Sequence, residues 1–221
     1  MSTHLHSASI ATAPAFTLNP LRWSQRTAAL VTGAALTAMV FLSIFGYLIA
    51  INGLVTGNDA AKTAGAIAAS PALWIAGIGA MCVVVVLDVV AAAGTYALFR
   101  PVNSVLSAVA GLSRTIYAVW LTVALSQLVL AFGDLDAPEA ALANIETFSS
   151  IWNAALGLFG VHLLMIAYLS IRSGFMPKIF GILIGLVVAP GFTPTFGLFG
   201  FIGETAMIFW LLIGGWRLPQ V

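Results

Sequence analysis

The chain has 221 residues, of which 61 % are hydrophobic and 7 % are charged, and its net charge is +1. A soluble domain carries about 25 % charged residues, so this chain has too little polar side chain to coat a water-facing surface. The composition therefore predicts a membrane protein. It also argues against a nucleic-acid partner, because no surplus of basic residues is present.

The N-terminal segment differs in composition from the rest of the chain. Residues 1–21 are rich in Ser, Thr, Ala and Pro, and no basic patch there precedes an apolar core. This pattern predicts a mobile tail over 1–21 rather than a secretory signal. A single membrane domain is predicted over 22–221.

The apolar runs after the tail are long enough to cross a bilayer. A helical span needs about 20 apolar residues, and helices are expected because an unsatisfied backbone cannot face lipid. Pro190 and Pro194 divide the last apolar region into a short or kinked span and a full one. The sequence predicts an all-α polytopic bundle of six transmembrane helices, over about 28–51, 72–99, 105–132, 151–171, 175–189 and 196–216.

Charges in the predicted loops indicate an orientation. With six spans, one side of the membrane has only basic residues, and the other has most of the acids. Cytoplasmic loops carry an excess of Lys and Arg, so both termini are predicted to be cytoplasmic, in a multi-pass protein of the cell inner membrane. The basic side has Arg22, Arg26, Arg100, Arg172, Lys178 and Arg217, and the opposite side has Asp59, Lys62, Asp134, Asp136, Glu139 and Glu146.

The third loop is predicted over 133–150. It is interpreted as a solvated outer cap, in which Pro138 starts a short interfacial helix, and the alternative is a surface for a protein partner. Trp152 stands at the predicted start of the fourth span. Because Trp prefers headgroup depth, it is interpreted as an interfacial anchor.

Four ionisable side chains fall within predicted spans: Asp88, Arg114, His162 and Glu204. At about 1.5 Å per residue, each lies roughly 15–20 Å from the cytoplasmic edge, near the midplane. A lone charge there costs about 2.5–3.5 kcal/mol on insertion scales, so these groups are expected to face inward and pair. Asp88 and Arg114 have matching depths on consecutive antiparallel helices, which predicts an ion pair. Tyr117, one turn beyond Arg114, is placed to join them.

Two alternatives are open for the remaining pair. Glu204 and His162 pair with each other, or Glu204 is protonated, because burial disfavours a charged carboxylate. The cluster as a whole either fixes helix register or lines a cavity for a small ligand, a proton or a metal. A metal held by Asp88, His162 and Glu204 is disfavoured because Arg114 would repel it. No resident metal, cofactor or catalytic motif is predicted.

Four segments resemble a known family. They are Asn19-Pro20-Leu21-Arg22, Arg100-Pro101-Val102-Asn103, Ser173-Gly174-Phe175-Met176-Pro177-Lys178-Ile179-Phe180-Gly181, and Gly203-Glu204 leading to Trp210-Leu211-Leu212 and Gly214. Together they look like the bacterial membrane family called domain of unknown function 4386. That resemblance implies a six-span bundle in a bacterial inner membrane. It implies no activity, substrate or catalytic residue.

Three functions are consistent with these patterns. The preferred one is binding or transport of a small molecule or proton at the midplane cluster. The second is an accessory or structural subunit that contacts a protein partner or another copy of itself within the lipid bilayer. The least favoured is an intramembrane enzyme, in which His162 and a carboxylate act as acid and base. For the first, the expected binding residues are Asp88, Arg114, Tyr117, His162 and Glu204.

Overall fold

The computed structural model describes residues 19–186 and 194–220, and for 194–201 it describes the backbone alone. Within these ranges all regular structure is helical. The α-helices are α1 (Gln25–Ser43), α2 (Ala60–Ala69), α3 (Pro71–Phe99), α4 (Ser104–Gly133), α5 (Pro138–Arg172), α6 (Lys178–Gly185) and α7 (Pro194–Ile213). A π-helical segment, Ile44–Ile51, continues α1. Nearly all of the predicted tail, and Pro190, lie outside the described residues.

Most of these helices start at residues that favour helix N-termini. The side chains of Ser24, Asp59 and Asn103 each accept a hydrogen bond from the backbone N–H three residues on, at 2.9–3.1 Å. Such caps satisfy donors that the first helical turn leaves free. Pro71 and Pro138 occupy the first positions of α3 and α5, where a missing N–H has no consequence.

Among the described residues, four helical segments are long and apolar enough to cross a membrane. They are Gln25–Leu54, Pro71–Phe99, Ser104–Gly133 and Pro138–Arg172, and a shorter apolar helix covers Ile202–Ile213. These segments indicate a membrane protein. The eight residues of α6 extend only about 12 Å, against a hydrocarbon core of about 30 Å. The predicted fifth span, 175–189, runs past α6 into residues outside the described ranges.

The side-chain distribution is the reverse of that in a water-soluble protein. Asp88 and Arg114 are each 1 % exposed, whereas Phe41 is 69 % and Phe209 is 63 % exposed. Charged residues are almost never fully buried in soluble proteins unless they are paired. An apolar outer surface around a charged interior is the arrangement that lipid favours.

Six of the helices form a closed ring. In order around the ring, α1 packs on α3, α3 on α4, α4 on α5, α5 on α6, α6 on α7, and α7 on α1. Small residues permit this packing: a Cβ at Gly181 would lie 2.6 Å from the carbonyl oxygen of Ala167, and one at Gly94 would overlap Thr32. The ring therefore directs one face of each long helix toward a shared interior.

The third loop is much shorter than predicted. Instead of a loop over 133–150, α5 begins at Pro138 and continues for 35 residues, about 52 Å. Its first turns are amphipathic, because Ala141, Ile145 and Phe148 are buried at spacings of four and three residues. This buried face packs against α2, so the two helices together form a helical cap at this end of the ring.

Both ends of the described chain lie at one end of the ring. The guanidinium of Arg100, at the α3–α4 turn, donates to the Leu21 carbonyl at 2.6 Å. The backbone N–H of Arg26 donates to the Pro219 carbonyl at 3.3 Å, and its guanidinium lies 4.2 Å from the ring centroid of Trp216. The first turn of α1 is therefore in contact with the segment that follows α7.

Candidate functional site

Arg114 lies at the centre of the ring, and its three guanidinium nitrogens contact residues of four other helices. Its Nε donates to Asp88 Oδ1 on α3 at 2.9 Å, and its Nη1 donates to Glu204 Oε1 on α7 at 3.0 Å. Its Nη2 donates to the Sδ atom of Met39 on α1 at 3.9 Å. The structure thus has the Asp88–Arg114 ion pair expected from their depths. It adds Glu204 as a second carboxylate on the same guanidinium.

His162 lies behind this ion-pair cluster. Its Nδ1 is 2.8 Å from the Ala110 carbonyl oxygen, which only accepts, so Nδ1 carries the hydrogen. Its Nε2 is 3.5 Å from Arg114 Nη1, which only donates, so Nε2 is the accepting nitrogen. Phe159 stacks on the imidazole with centroids 5.5 Å apart. One alternative for Glu204 was a pair with His162. In the structure Glu204 pairs with Arg114 instead.

Aromatic side chains form a layer beside Arg114. Trp152 Nε1 donates to the hydroxyl of Tyr117 at 3.2 Å, and Tyr47 meets the Trp152 ring edge-on with centroids 4.3 Å apart. Trp152 was expected at headgroup depth, but it lies well inside α5, because that helix starts at Pro138. Tyr117 is 8 % exposed, and its hydroxyl accepts a hydrogen bond from Trp152 rather than from Arg114.

A cavity of about 200 Å³ adjoins the cluster. Asp88, Arg114, Tyr117 and Glu204 line it, and His162 is not among the lining residues. The remaining wall is largely apolar and aromatic, with contributions from Met39, Val84, Trp152, Phe159 and Thr205. Side chains from α1, α3, α4, α5 and α7 therefore surround one space next to a buried ion pair.

Two polar atoms of the cavity-lining residues have no partner within the described part of the chain. Asp88 Oδ2 and Thr205 Oγ1 are buried and make no hydrogen bond. A buried acceptor without a donor loses free energy comparable to its whole desolvation penalty, so such groups are rare in native structures. The wall of the cavity is therefore short of at least one hydrogen-bond donor.

The cluster also has unequal numbers of acids and bases. Two carboxylates, Asp88 and Glu204, contact the single guanidinium of Arg114. His162 adds no positive charge in the tautomer that its contacts require. When both carboxylates are ionised, one negative charge is left over beside the cavity.

The chain matches the family model described as domain of unknown function (DUF4386) over residues 31–215. The chain belongs to this family. An uncharacterized protein from Archaeoglobus fulgidus is 33 % identical over 148 residues, which cover 62 % of this chain and 83 % of the archaeal protein. No solved structure gives a significant match. The family resemblance seen in the sequence is confirmed, and the DUF4386 description assigns no activity.

Several cavity-lining residues of this DUF4386 protein were not predicted from its sequence. They include Met39, Trp152, Phe159 and Thr205. A signal for the two aromatic residues was present, because Phe148, Trp152, Phe159 and His162 recur at spacings that place them on one helical face. Three of the four residues lie within the predicted span 151–171, and extending the helix back into the acidic segment adds Phe148 to the same face.

Proposed function

We propose that this protein binds a small molecule in the cavity beside Arg114, as a membrane binding or transport protein. The observation that carries the proposal is Asp88 Oδ2, a buried carboxylate oxygen without a donor, in a residue that lines the cavity. If the cluster only fixed helix register, both carboxylate oxygens of Asp88 would be expected to accept hydrogen bonds, because incompletely bonded buried networks are unfavourable. A bound molecule would supply the donor that the described side chains lack.

The size and position of the cavity support the same proposal. An apolar cavity of about 150 Å³ holds benzene, so one of about 200 Å³ accommodates a ligand somewhat larger than a single ring. An occupant would contact five helices of the ring, which allows binding to favour one helix arrangement over another. The cavity-lining Ser43 is also the last residue of α1 before the π-helical segment, a deviation that is frequent at functional sites.

We further propose six membrane crossings with both termini in the cytoplasm of a bacterial cell, in its inner membrane. The contact between the Arg26 and Pro219 backbones supports an even number of crossings, and Arg22, Arg100 and Arg217 lie near the same end. Alkaline phosphatase fused after Pro219 should be inactive, and the same enzyme inserted after Asp136 should be active. Activity of the C-terminal fusion would contradict the orientation.

Ligand binding is tested by thermal unfolding of the purified protein in detergent with three aromatic probes of similar size. The probes are N,N-dimethylbenzylammonium, phenylacetate and isobutylbenzene, which are cationic, anionic and neutral. We expect at least one to raise the unfolding midpoint, because a molecule that binds only the native state stabilises it. Val84→Phe, which fills the cavity, should abolish that rise.

The matched control is Val83→Phe on the outer face of the same helix. Val83 is 47 % exposed and Val84 is 4 % exposed, so only the Val84 substitution enlarges a side chain at the cavity. Ser43→Phe, at the start of the π-helical segment, is a second blocking variant if Val84→Phe does not fold. If no probe shifts the midpoint, or if every variant responds as the parent does, the binding proposal is wrong and a structural-subunit role gains support.

A further inference from the structure

The charge balance beside the cavity indicates what kind of ligand fits it. We propose that the ligand is a small monovalent organic ammonium ion, and that it exchanges with one proton at the Asp88–Glu204 pair. This inference rests on the proposed binding function and names the substrate class of that same site. It depends on the surplus carboxylate, the unpaired oxygen and the aromatic wall.

The surplus carboxylate excludes an anion and favours a cation. Asp88 and Glu204 bond to one guanidinium at 2.9 and 3.0 Å, which leaves one negative charge uncompensated when both are ionised. In a low-dielectric interior a bare charge is strongly unfavourable, and an opposite charge within reach relieves it. A second anion in this cavity would instead add to the repulsion.

The unpaired oxygen favours an ammonium that has an N–H group. Asp88 Oδ2 has no donor among the described residues, and Asp88 is one of the residues that line the cavity. An ammonium N–H supplies both a donor and the missing positive charge, and charge-assisted hydrogen bonds of this type are the stronger ones. A metal ion would not satisfy the site as well, because the Arg114 guanidinium already lies between the two carboxylates.

The aromatic wall suits the organic part of such a ligand. Tyr117, Trp152 and Phe159 all line the cavity, and aromatic ring faces attract cations and pack against hydrocarbon. Arg114 lies 5.2 Å from the centroid of Phe159, so that ring already has one cationic neighbour. The rings of Tyr117 and Trp152 are therefore the expected contacts for the ligand.

A proton balances the same charge when no ammonium is bound. Among the residues that the structure describes, the titratable groups that face the centre are Asp88 on α3, Arg114 and Tyr117 on α4, His162 on α5 and Glu204 on α7, while α1 contributes Met39. His162 Nε2 lies 3.5 Å from Arg114 Nη1, so a proton on that nitrogen would face the guanidinium, and the carboxylates are the groups left to hold the proton. In the exchange, the ammonium enters, one carboxyl O–H bond breaks, and the proton leaves to solvent. The charge of the site is the same before and after.

The experiment compares the same probes by isothermal titration calorimetry in detergent. N,N-dimethylbenzylammonium and isobutylbenzene have nearly the same shape and differ in charge and in one N–H group. We expect the ammonium to bind at least about tenfold more tightly, in line with the coupling energies of close charge pairs. Titrations in buffers of different ionisation enthalpy should show release of about one proton for each ammonium bound.

Variants test whether the Asp88–Glu204 pair is responsible. Glu204→Gln and Asp88→Asn each leave one carboxylate for Arg114, so each should weaken ammonium binding about tenfold or more and abolish proton release. The matched control is Glu146→Gln on the exposed part of α5, which should change neither quantity. Circular dichroism with a cooperative melt shows whether each variant is folded. If one carboxylate variant does not fold, the other is sufficient for the test.

The outcomes separate this inference from the binding proposal. If phenylacetate or isobutylbenzene binds in the cavity and the ammonium does not, the binding proposal stands and the ammonium inference is overturned. If the ammonium binds without proton release, or binds equally well to Glu204→Gln, the exchange is overturned. If no probe binds to the parent protein, both proposals are overturned together.

Discussion

Arg114→Met is expected to lower the free energy of unfolding by about 3–5 kcal/mol, the usual loss when one member of a buried ion pair is removed. The substitution leaves Asp88 and Glu204 facing each other without a cation. Met keeps the unbranched apolar part of the side chain and suits an apolar environment, so we expect lost packing to contribute less than lost charge. The measurement is reversible unfolding in mixed micelles with a denaturing detergent. The control is Arg172→Met, an exposed arginine at the end of α5, which should change stability little.

A neutral version of the cluster distinguishes loss of charge balance from loss of contacts. Arg114→Met combined with Asp88→Asn and Glu204→Gln removes all three charges and leaves no ion to be compensated. Buried ion pairs replaced by uncharged residues of similar volume are often no less stable than the originals. We expect this triple variant to recover most of the stability that Arg114→Met loses. A triple variant as unstable as the single one would show that packing, not charge, holds the centre of the ring.

Much of this arrangement could be predicted from the sequence, and the reason is physical. A charged side chain that faces lipid is energetically costly. The positions of Asp88 and Arg114 in consecutive apolar runs were therefore enough to predict that they lie at one depth and face each other. The pair is present at 2.9 Å. Depth along a helix follows from counting residues, because the rise per residue is fixed.

The partners of Glu204 could not be predicted in the same way. Depth alone allowed it to pair with His162 or to be protonated. Its contact with Arg114 depends on the ring closing between α7 and α1, which is a relation between helices that are far apart in sequence. Residue counting gives the level of a side chain and not its angular position around a bundle.

The aromatic side of the cavity was missed for a different reason. Because Glu139 and Glu146 are acidic, the segment before residue 151 was interpreted as a loop. Trp152 was therefore assigned to the membrane surface. The acids lie on the outer face of a helix whose inner face, with Ile145 and Phe148, is buried. Charge on one face of a helix does not exclude burial of the other face.

Either of the two carboxylates alone is expected to be enough to stabilise Arg114. Removing one should therefore have a small effect on the free energy of unfolding, and removing both a large one. If the predicted Asp88–Arg114 pair were the only contact of the guanidinium, Asp88→Asn alone would leave Arg114 uncompensated. In the structure Glu204 still contacts the guanidinium at 3.0 Å, so Asp88→Asn or Glu204→Gln alone leaves one positive and one negative charge. Each single variant should therefore lose less than about 1.5 kcal/mol, the range of an ordinary hydrogen bond.

The double variant, Asp88→Asn with Glu204→Gln, leaves a buried guanidinium without any carboxylate. We expect it to lose about 3–5 kcal/mol, more than the sum of the two single losses, because residues that share one partner are not additive. A double-mutant cycle measured by unfolding in mixed micelles gives the excess directly. Strict additivity would mean that Arg114 interacts with one carboxylate only, and that the surplus charge beside the cavity does not exist. The same cycle therefore tests the folding of the ring centre and the physical basis for an ammonium ligand.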